Sequence, residues 1–255
     1  MIPQLDVALE SEGITGNRYG LVGFGSGLQD GNLGRPLAVG GGKFGTANEF
    51  ANATNNLLLS GGVEDGYSAI DFALNNYTFR EGVAVNFILV TDEYRNNRNF
   101  SLNFTNILEG LQRGTADTSD DILLNAVVNA NFVNDAIGVN SEANAYMADG
   151  SGGFTTTQLP SLNGIVTRDE GTTREDYIDL ALASGGAGWN LNQLRAGGLT
   201  ATSFTNAFID IKVEEIEQQQ QEQPQPQDVP EPVSVFALFG IGALAAKGLK
   251  QKKEM

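Results

Sequence analysis

The 255-residue chain contains no histidine and no cysteine. Without an imidazole there is no Ser-His-Asp triad, no histidine general base and no His-ligated zinc. Without a thiol there is no cysteine nucleophile, no disulfide, no iron–sulfur cluster and no redox switch. A bound metal would therefore have to be a hard cation (Mg2+, Mn2+ or Ca2+) held by Asp, Glu, Ser, Thr and backbone oxygens. Positive charge is scarce too: 15 Lys+Arg face 31 Asp+Glu, for a formal net charge of −16. A phosphate-backbone partner needs a basic face, so no nucleic acid is expected. Trp189 is the single tryptophan and the phenylalanines are scattered at core spacing, so no aromatic platform for sugars stands out. The length suits one large domain or two small ones, with ample chain to bury a core.

The charge that is present is unevenly spread. The last nine residues hold Lys247, Lys250, Lys252 and Lys253 against Glu254 and carry +3, so the remainder carries −19. Ahead of them lies VSVFALFGIGALAA, residues 233–246, without a charge. As a helix at about 1.5 Å per residue this run spans roughly 21 Å, against a hydrocarbon core of roughly 30 Å. Extended over 233–249, with Lys247 snorkelling, it reaches about 26 Å. A docked C-terminal helix is the alternative. A terminal position with lysines immediately behind favours the membrane, with the lysines cytoplasmic and the acidic body outside. Residues 218–231 read QQQQEQPQPQDVPE. Gln and Pro dominate and no apolar face exists, which predicts a Gln/Pro-rich disordered linker over 218–228 with polyproline character.

The order Val229-Pro230-Glu231-Pro232, apolar run, basic end resembles the PEP-CTERM sorting signal of bacterial surface proteins, over residues 229–255. The resemblance implies export and recognition of the Pro-Glu-Pro by an exosortase-type transpeptidase. It places the hydrophobic helix in the inner membrane before processing and the product at the cell surface or outside it. As with a glycolipid-anchor signal, removal of the tail leaves no membrane helix. Such proteins are associated with biofilm and exopolysaccharide-producing bacteria. The first thirteen residues, MIPQLDVALESEG, have no basic start, no apolar core and no cleavage site, so they are not a secretory signal. For an exported protein this points to a start placed late.

Residues 1–217 form the body. RYGLVGF, residues 18–24, reads as a short strand ending in a glycine loop at 23–27, and 40–42 make another turn. Thr46 opens a predicted helix through 59, and 65–74 (DGYSAIDFAL) gives a second with Ala69, Ile70, Ala73 and Leu74 on one face. VAVNFILV, residues 83–90, is the clearest core strand: continuous, β-branched and too short for a helix. Residues 104–111 read as helix, 122–132 as strand, 173–183 as helix, and 203–216 as an amphipathic closing helix. Alternating strands and helices predict an α/β sandwich with a mostly parallel sheet, in which sites form at the carboxyl ends of the strands.

RYGLVGFG, GGVEDGYSAIDFAL, a strand ending LVTDE, and the closing SFTNAFIDIKVEEI resemble, in that order, a von Willebrand factor type A (vWA) domain. The resemblance implies a Rossmann-like three-layer sandwich and a metal-ion-dependent adhesion site. In that family the site combines a D-x-S-x-S loop after the first strand, a Thr on a second loop and an Asp ending a later strand. Asp92 matches the third element. At the second, Val63 stands in the Thr position and offers no oxygen, while Glu64 and Asp65 beside it do. The first element is absent: residues 1–13 resemble the helix that should follow that strand. An N-terminally incomplete domain is expected to leave two strand edges and part of the core open.

Each candidate has a structural alternative. Asp92 either binds metal or caps the loop after its strand. Asp65 is also a plausible helix N-cap, and acids such as Glu64 suit the positive end of a helix. Thr91 supports the loop. The glycine loop at 23–27 lacks dinucleotide-binding spacing, and Asp117, Asp120 and Asp121, which could form a calcium loop, do not match the EF-hand pattern and read as a solvated turn. The expected function is a non-enzymatic, surface-associated adhesion or matrix protein. Its partners would be extracellular polysaccharide or other surface proteins. The alternative is a secreted polymer hydrolase working through paired carboxylates, for which no specific pair emerges.

Overall fold

The computed structural model describes residues 1–25, 34–58, 62–114 and 121–222. The sorting motif Val229, Pro230, Glu231 and Pro232, the apolar run behind it, and Asp117 and Asp120 lie outside these residues.

Helix α1 (Ile2–Ser11) carries Pro3 in its first turn, where a missing N–H costs nothing, and buries Leu5 and Leu9 together with Ile14 and Ile209. Strand β1 (Tyr19–Phe24) pairs antiparallel with β2 (Gly34–Leu37) and, through Tyr19 and Gly20 alone, with β3 (Phe44–Gly45). The turn at 40–42 is closed by reciprocal bonds between Val39 and Gly42. Helix α2 (Ala47–Ala53) opens on a capping box: Glu49 N–H donates to Thr46 Oγ1 at 3.3 Å, and Thr46 N–H donates to Glu49 Oε2 at 2.8 Å. It ends before the expected 59. The Thr54 hydroxyl and the Asn55 amide turn back onto the carbonyls of Ala51 and Asn52, competing with continued helix. Helix α3 (Gly66–Asn76) follows and packs against β1, β2 and the next strand, β4 (Asn86–Thr91).

The rest of the chain supplies α4 (Phe104–Arg113), β5 (Leu123–Val128), β6 (Ala130–Phe132), β7 (Gly138–Asn140), β8 (Asn144–Ala148), β9 (Phe154–Gln158) and β10 (Val166–Asp169). After a π turn at Arg174–Ile178 come α5 (Asp179–Ala183), β11 (Ala187–Asn190), α6 (Leu191–Arg195) and α7 (Gly198–Glu222). The main sheet has six strands in the order β4-β5-β11-β7-β8-β9, while β6 and β10 pair separately.

The α/β class holds, but the sheet is mixed rather than mostly parallel: only β4–β5 and β5–β11 run parallel. The antiparallel half comes from residues 138–158, where the connections are too short for a crossover. Ala143 takes a left-handed φ of 63° in one turn, and Asp149 Oδ1 ties the next by accepting from Ser151 and Gly153 N–H. The strand expected over 122–132 is two, since the chain leaves the main sheet at Asn129 to pair with β10. The closing helix runs through Glu222, five residues into the expected linker. Gln219 holds that end, donating to the Asp121 carbonyl at 3.1 Å and accepting from the Asn86 amide at 2.7 Å. Among the described residues no helix is long and apolar enough to cross a membrane.

Helices cover both faces of the sheet. Leu124, Ala126 and Val128 of β5 join Leu89 in one core with Tyr67, Ile70, Ile107, Leu111 and Leu180; Val127 joins Trp189, Tyr146, Phe204 and Phe208 in the other. Gly138 makes room for Trp189, because a Cβ there would stand 2.6 Å from the indole. In β5 the apolar pattern is broken once: Asn125 is fully buried there. Its Oδ1 accepts from Trp189 Nε1 at 3.0 Å and from the buried Lys212 ammonium. Its amide donates to Glu215 Oε2, which also pairs with Lys212. No buried side-chain nitrogen or oxygen in this group lacks a partner, which is the condition for a buried charge to be tolerated. At the other side of the sheet β4 is outermost, with Val90 51% exposed and no strand among the described residues on its outer edge.

Candidate functional site

The three parallel strands end in register. Thr91 of β4 and Asn190 of β11 both stand beside Val128 of β5, so the residues that follow emerge on one face of the sheet. This is where an α/β sheet presents side chains to a ligand. All three metal candidates lie here, but in different surroundings.

Asp65 is fully buried. As N-cap of α3 it accepts from Tyr67 N–H at 3.2 Å. It also pairs with Arg95, whose Nε lies 2.7 Å from Oδ1 and Nη2 3.4 Å from Oδ2. The Arg95 guanidinium sits 4.0 Å over the Tyr67 ring and donates to the Leu102 carbonyl and Asn97, with Asp176 3.9 Å away. Burial pushes the Asp176 carboxyl up, with Arg95 acting against it. The N-cap alternative for Asp65 is therefore what the structure shows, with an arginine as its counter-charge.

Glu64 is half-buried beside the end of β4, where Thr91 Oγ1 donates to Oε2 at 3.2 Å. Burial raises its carboxyl above the usual range, the Thr91 bond opposes this, and Glu93 and Asp92 add to the rise. Gly25, at φ +80°, lets the end of β1 approach, since a Cβ there would meet the Glu64 side chain at 3.3 Å. Asp92 is exposed and bonded to Arg195 Nη2 at 2.7 Å, and that bond holds its carboxyl below the usual range. Thr91 supports the loop as expected, also accepting from Glu93 N–H.

Beside this group opens a cleft of about 560 Å³ lined by Asn129, Asn131, Asn192, Arg168, Asp169 and Glu170. Its floor is a relay of amides. Asn192 Nδ2 donates to Asn129 Oδ1 at 3.1 Å and to Asn131 Oδ1 at 3.0 Å; Asn129 Nδ2 donates to Glu170 Oε2 at 3.1 Å and to the Asp92 carbonyl at 3.4 Å. Its rim is the exposed run Arg168, Asp169 and Glu170 at the end of β10. Asn190 caps α6 by accepting from Asn192 N–H, and that short helix presents both Asn192 and Arg195. Sequence reading placed the site at this end of the strands but missed the amides. The one available signal was that asparagines stand at both strand ends, at 129, 131, 190 and 192.

As they stand, these donors do not fit a divalent cation. Asp65 is shut in with Arg95, Asp92 holds Arg195, and Val63 has no oxygen, so of the three candidates only Glu64 is without an arginine, with the exposed Glu93 as the one further acid that acts on it. Among the described residues no group of three or more acidic side chains is arranged to hold a metal. Compared with known proteins, the chain matches no family model, no curated protein and no solved structure.

Proposed function

We propose that the chain is a non-enzymatic, exported binding protein of a bacterial cell surface, built on a vWA-like domain and sorted by an exosortase through Val229-Pro230-Glu231-Pro232. It contributes adhesion or matrix attachment, and its partner is extracellular polysaccharide or another surface protein. The observation that carries the binding role is the amide-floored cleft at the carboxyl ends of the parallel strands, where fixed donors and acceptors face solvent. The order of sorting motif, apolar run and lysines supports the destination. The acidic body is compatible with life outside the cell and away from nucleic acid.

Fractionation of a producing strain tests this. The full chain is expected at the cell surface and in the matrix, while Glu231→Ala accumulates in the inner membrane. A wild-type chain found in the cytoplasm, or unaffected by Glu231→Ala, overturns the sorting part. Release of reducing ends from the strain's exopolysaccharide by the purified chain, lost on changing Asp169 or Glu170 to Ala, would favour the hydrolase instead.

A further inference from the structure

We infer that the cleft takes a neutral, hydroxyl-rich sugar unit, read chiefly by Asn131 and Asn192, and that it does so without a metal ion. This rests on the surface-binding reading above and specifies its ligand.

The relay leaves two side-chain atoms over. Asn192 spends its amide hydrogens on Asn129 and Asn131, and Asn129 spends its own on Glu170 and the Asp92 carbonyl. Among the described residues, Asn192 Oδ1 and Asn131 Nδ2 have no protein partner, and neither is buried. One open acceptor and one open donor thus lie on adjoining, mutually fixed amides. A hydroxyl both donates and accepts, so a pair of sugar hydroxyls answers both atoms. Carboxylate or sulfate groups only accept, and would set their charge against Asn192 Oδ1 and the oxygens of Asp169 and Glu170. An ammonium only donates, and would face Asn131 Nδ2 and the Arg168 guanidinium.

Two further features point the same way. All six lining residues are polar, so nothing in the cleft receives the apolar side chains of a peptide. At the end of the rim Tyr94, 39% exposed, lies against Gly171, so an aromatic ring stands next to the polar run. Arg168, Asp169 and Glu170 together leave the rim with one net negative charge, and the chain as a whole is acidic. Long-range attraction therefore gives an anionic polymer no help. No cation is called for, since Asp65 and Asp92 already hold arginines.

The test is binding of the full chain to an array of neutral, uronic-acid and sulfated glycans, in buffer with EDTA and in buffer with calcium. Binding is expected on neutral glycans, equal in both buffers. Asn192→Ala and Asn131→Ala should each weaken it about tenfold, the loss of a well-placed hydrogen bond or two. Because Asn192 also supports its neighbours, Arg168→Ala on the exposed rim serves as a second variant. It should weaken binding while leaving the thermal midpoint where it was. Binding confined to uronic-acid or sulfated glycans, binding abolished by EDTA, or neutral-glycan binding indifferent to all three variants overturns this inference but leaves a surface-binding protein. No binding to any glycan overturns the inference and the polysaccharide part of the proposed function together.

Discussion

Asp65 and Asp92 flank the same strand end, and each holds an arginine at 2.7 Å, yet the two pairs differ in burial. The side chains of Asp65 and Arg95 are 0% and 3% exposed, whereas those of Asp92 and Arg195 are 52% and 51% exposed. Distance alone would rate them equal. Solvent separates them: a buried charge that loses its partner keeps its desolvation cost, while an exposed one is taken up by water and salt. Asp65–Arg95 thus fixes how α3 and the loop after β4 meet, and Asp92–Arg195 is a loose tie at the margin of the cleft. The acid that is closest to a structural element is the one least available to a ligand.

Breaking the buried pair gives the largest effect. Arg95→Ala strands Asp65 and removes the cation over Tyr67, and is expected to cost about 3–5 kcal/mol in urea unfolding. A cost under about 1 kcal/mol would mean the pair is as loose as the exposed one.

The Lys212–Glu215–Asn125 group extends the comparison to a second buried cation. Lys212→Met leaves Glu215 without its ammonium and should cost roughly 2–4 kcal/mol. This group also has a pH signature. Burial presses the Lys212 amine down to about 8, with Glu215 acting against it. Above that value the folded chain has released a proton that the unfolded chain keeps until about 10.4, so stability should rise with pH from about 8. The window closes near pH 10, where Tyr67, Tyr146 and Tyr177, all raised by burial, ionise first in the unfolded chain. Chemical unfolding across this range should show the rise in the wild type and a flat response in Lys212→Met.

The exposed pair gives the smallest effect. Arg195→Ala is expected to change stability by no more than about 1 kcal/mol, and less at high salt. Asp92 loses the bond that holds its carboxyl down, so its pKa should rise, as read by carboxyl NMR shifts. Manganese or calcium should leave the thermal midpoint of the wild-type chain unchanged. A clear stabilisation would show that a cation displaces Arg195.

Much of this was legible in the residue pattern, for physical reasons that also mark the limits. Thr46 with Glu49, Asp65 ahead of an apolar period, and the β-branched run ending at Thr91 are local signals, and the structure has an element at each. Strand direction is not local. The three-residue and five-residue links around 138–158 decide that half of the sheet is antiparallel, and those strands are too short and too polar for periodicity to show. The site divides in the same way. Glu64, Asp65 and Asp92 follow a strand or open a helix and could be named from their neighbours. Arg195 reaches Asp92 across 103 positions, and Asn192 meets Asn129 across 63, through a sheet order that spacing does not reveal. Asn129 was concealed inside what reads as one continuous strand.

The most direct test of the account is side-chain amide NMR of the full chain during titration with exopolysaccharide fragments. The amide signals of Asn129, Asn131 and Asn192 should move together. The Asn125 amide and the Trp189 indole, bonded to each other in the core, should stay in place and serve as an internal reference. Movement of the three cleft amides, lost in Asn192→Ala, is the predicted result. Fragments that bind while those amides stay still would contradict it.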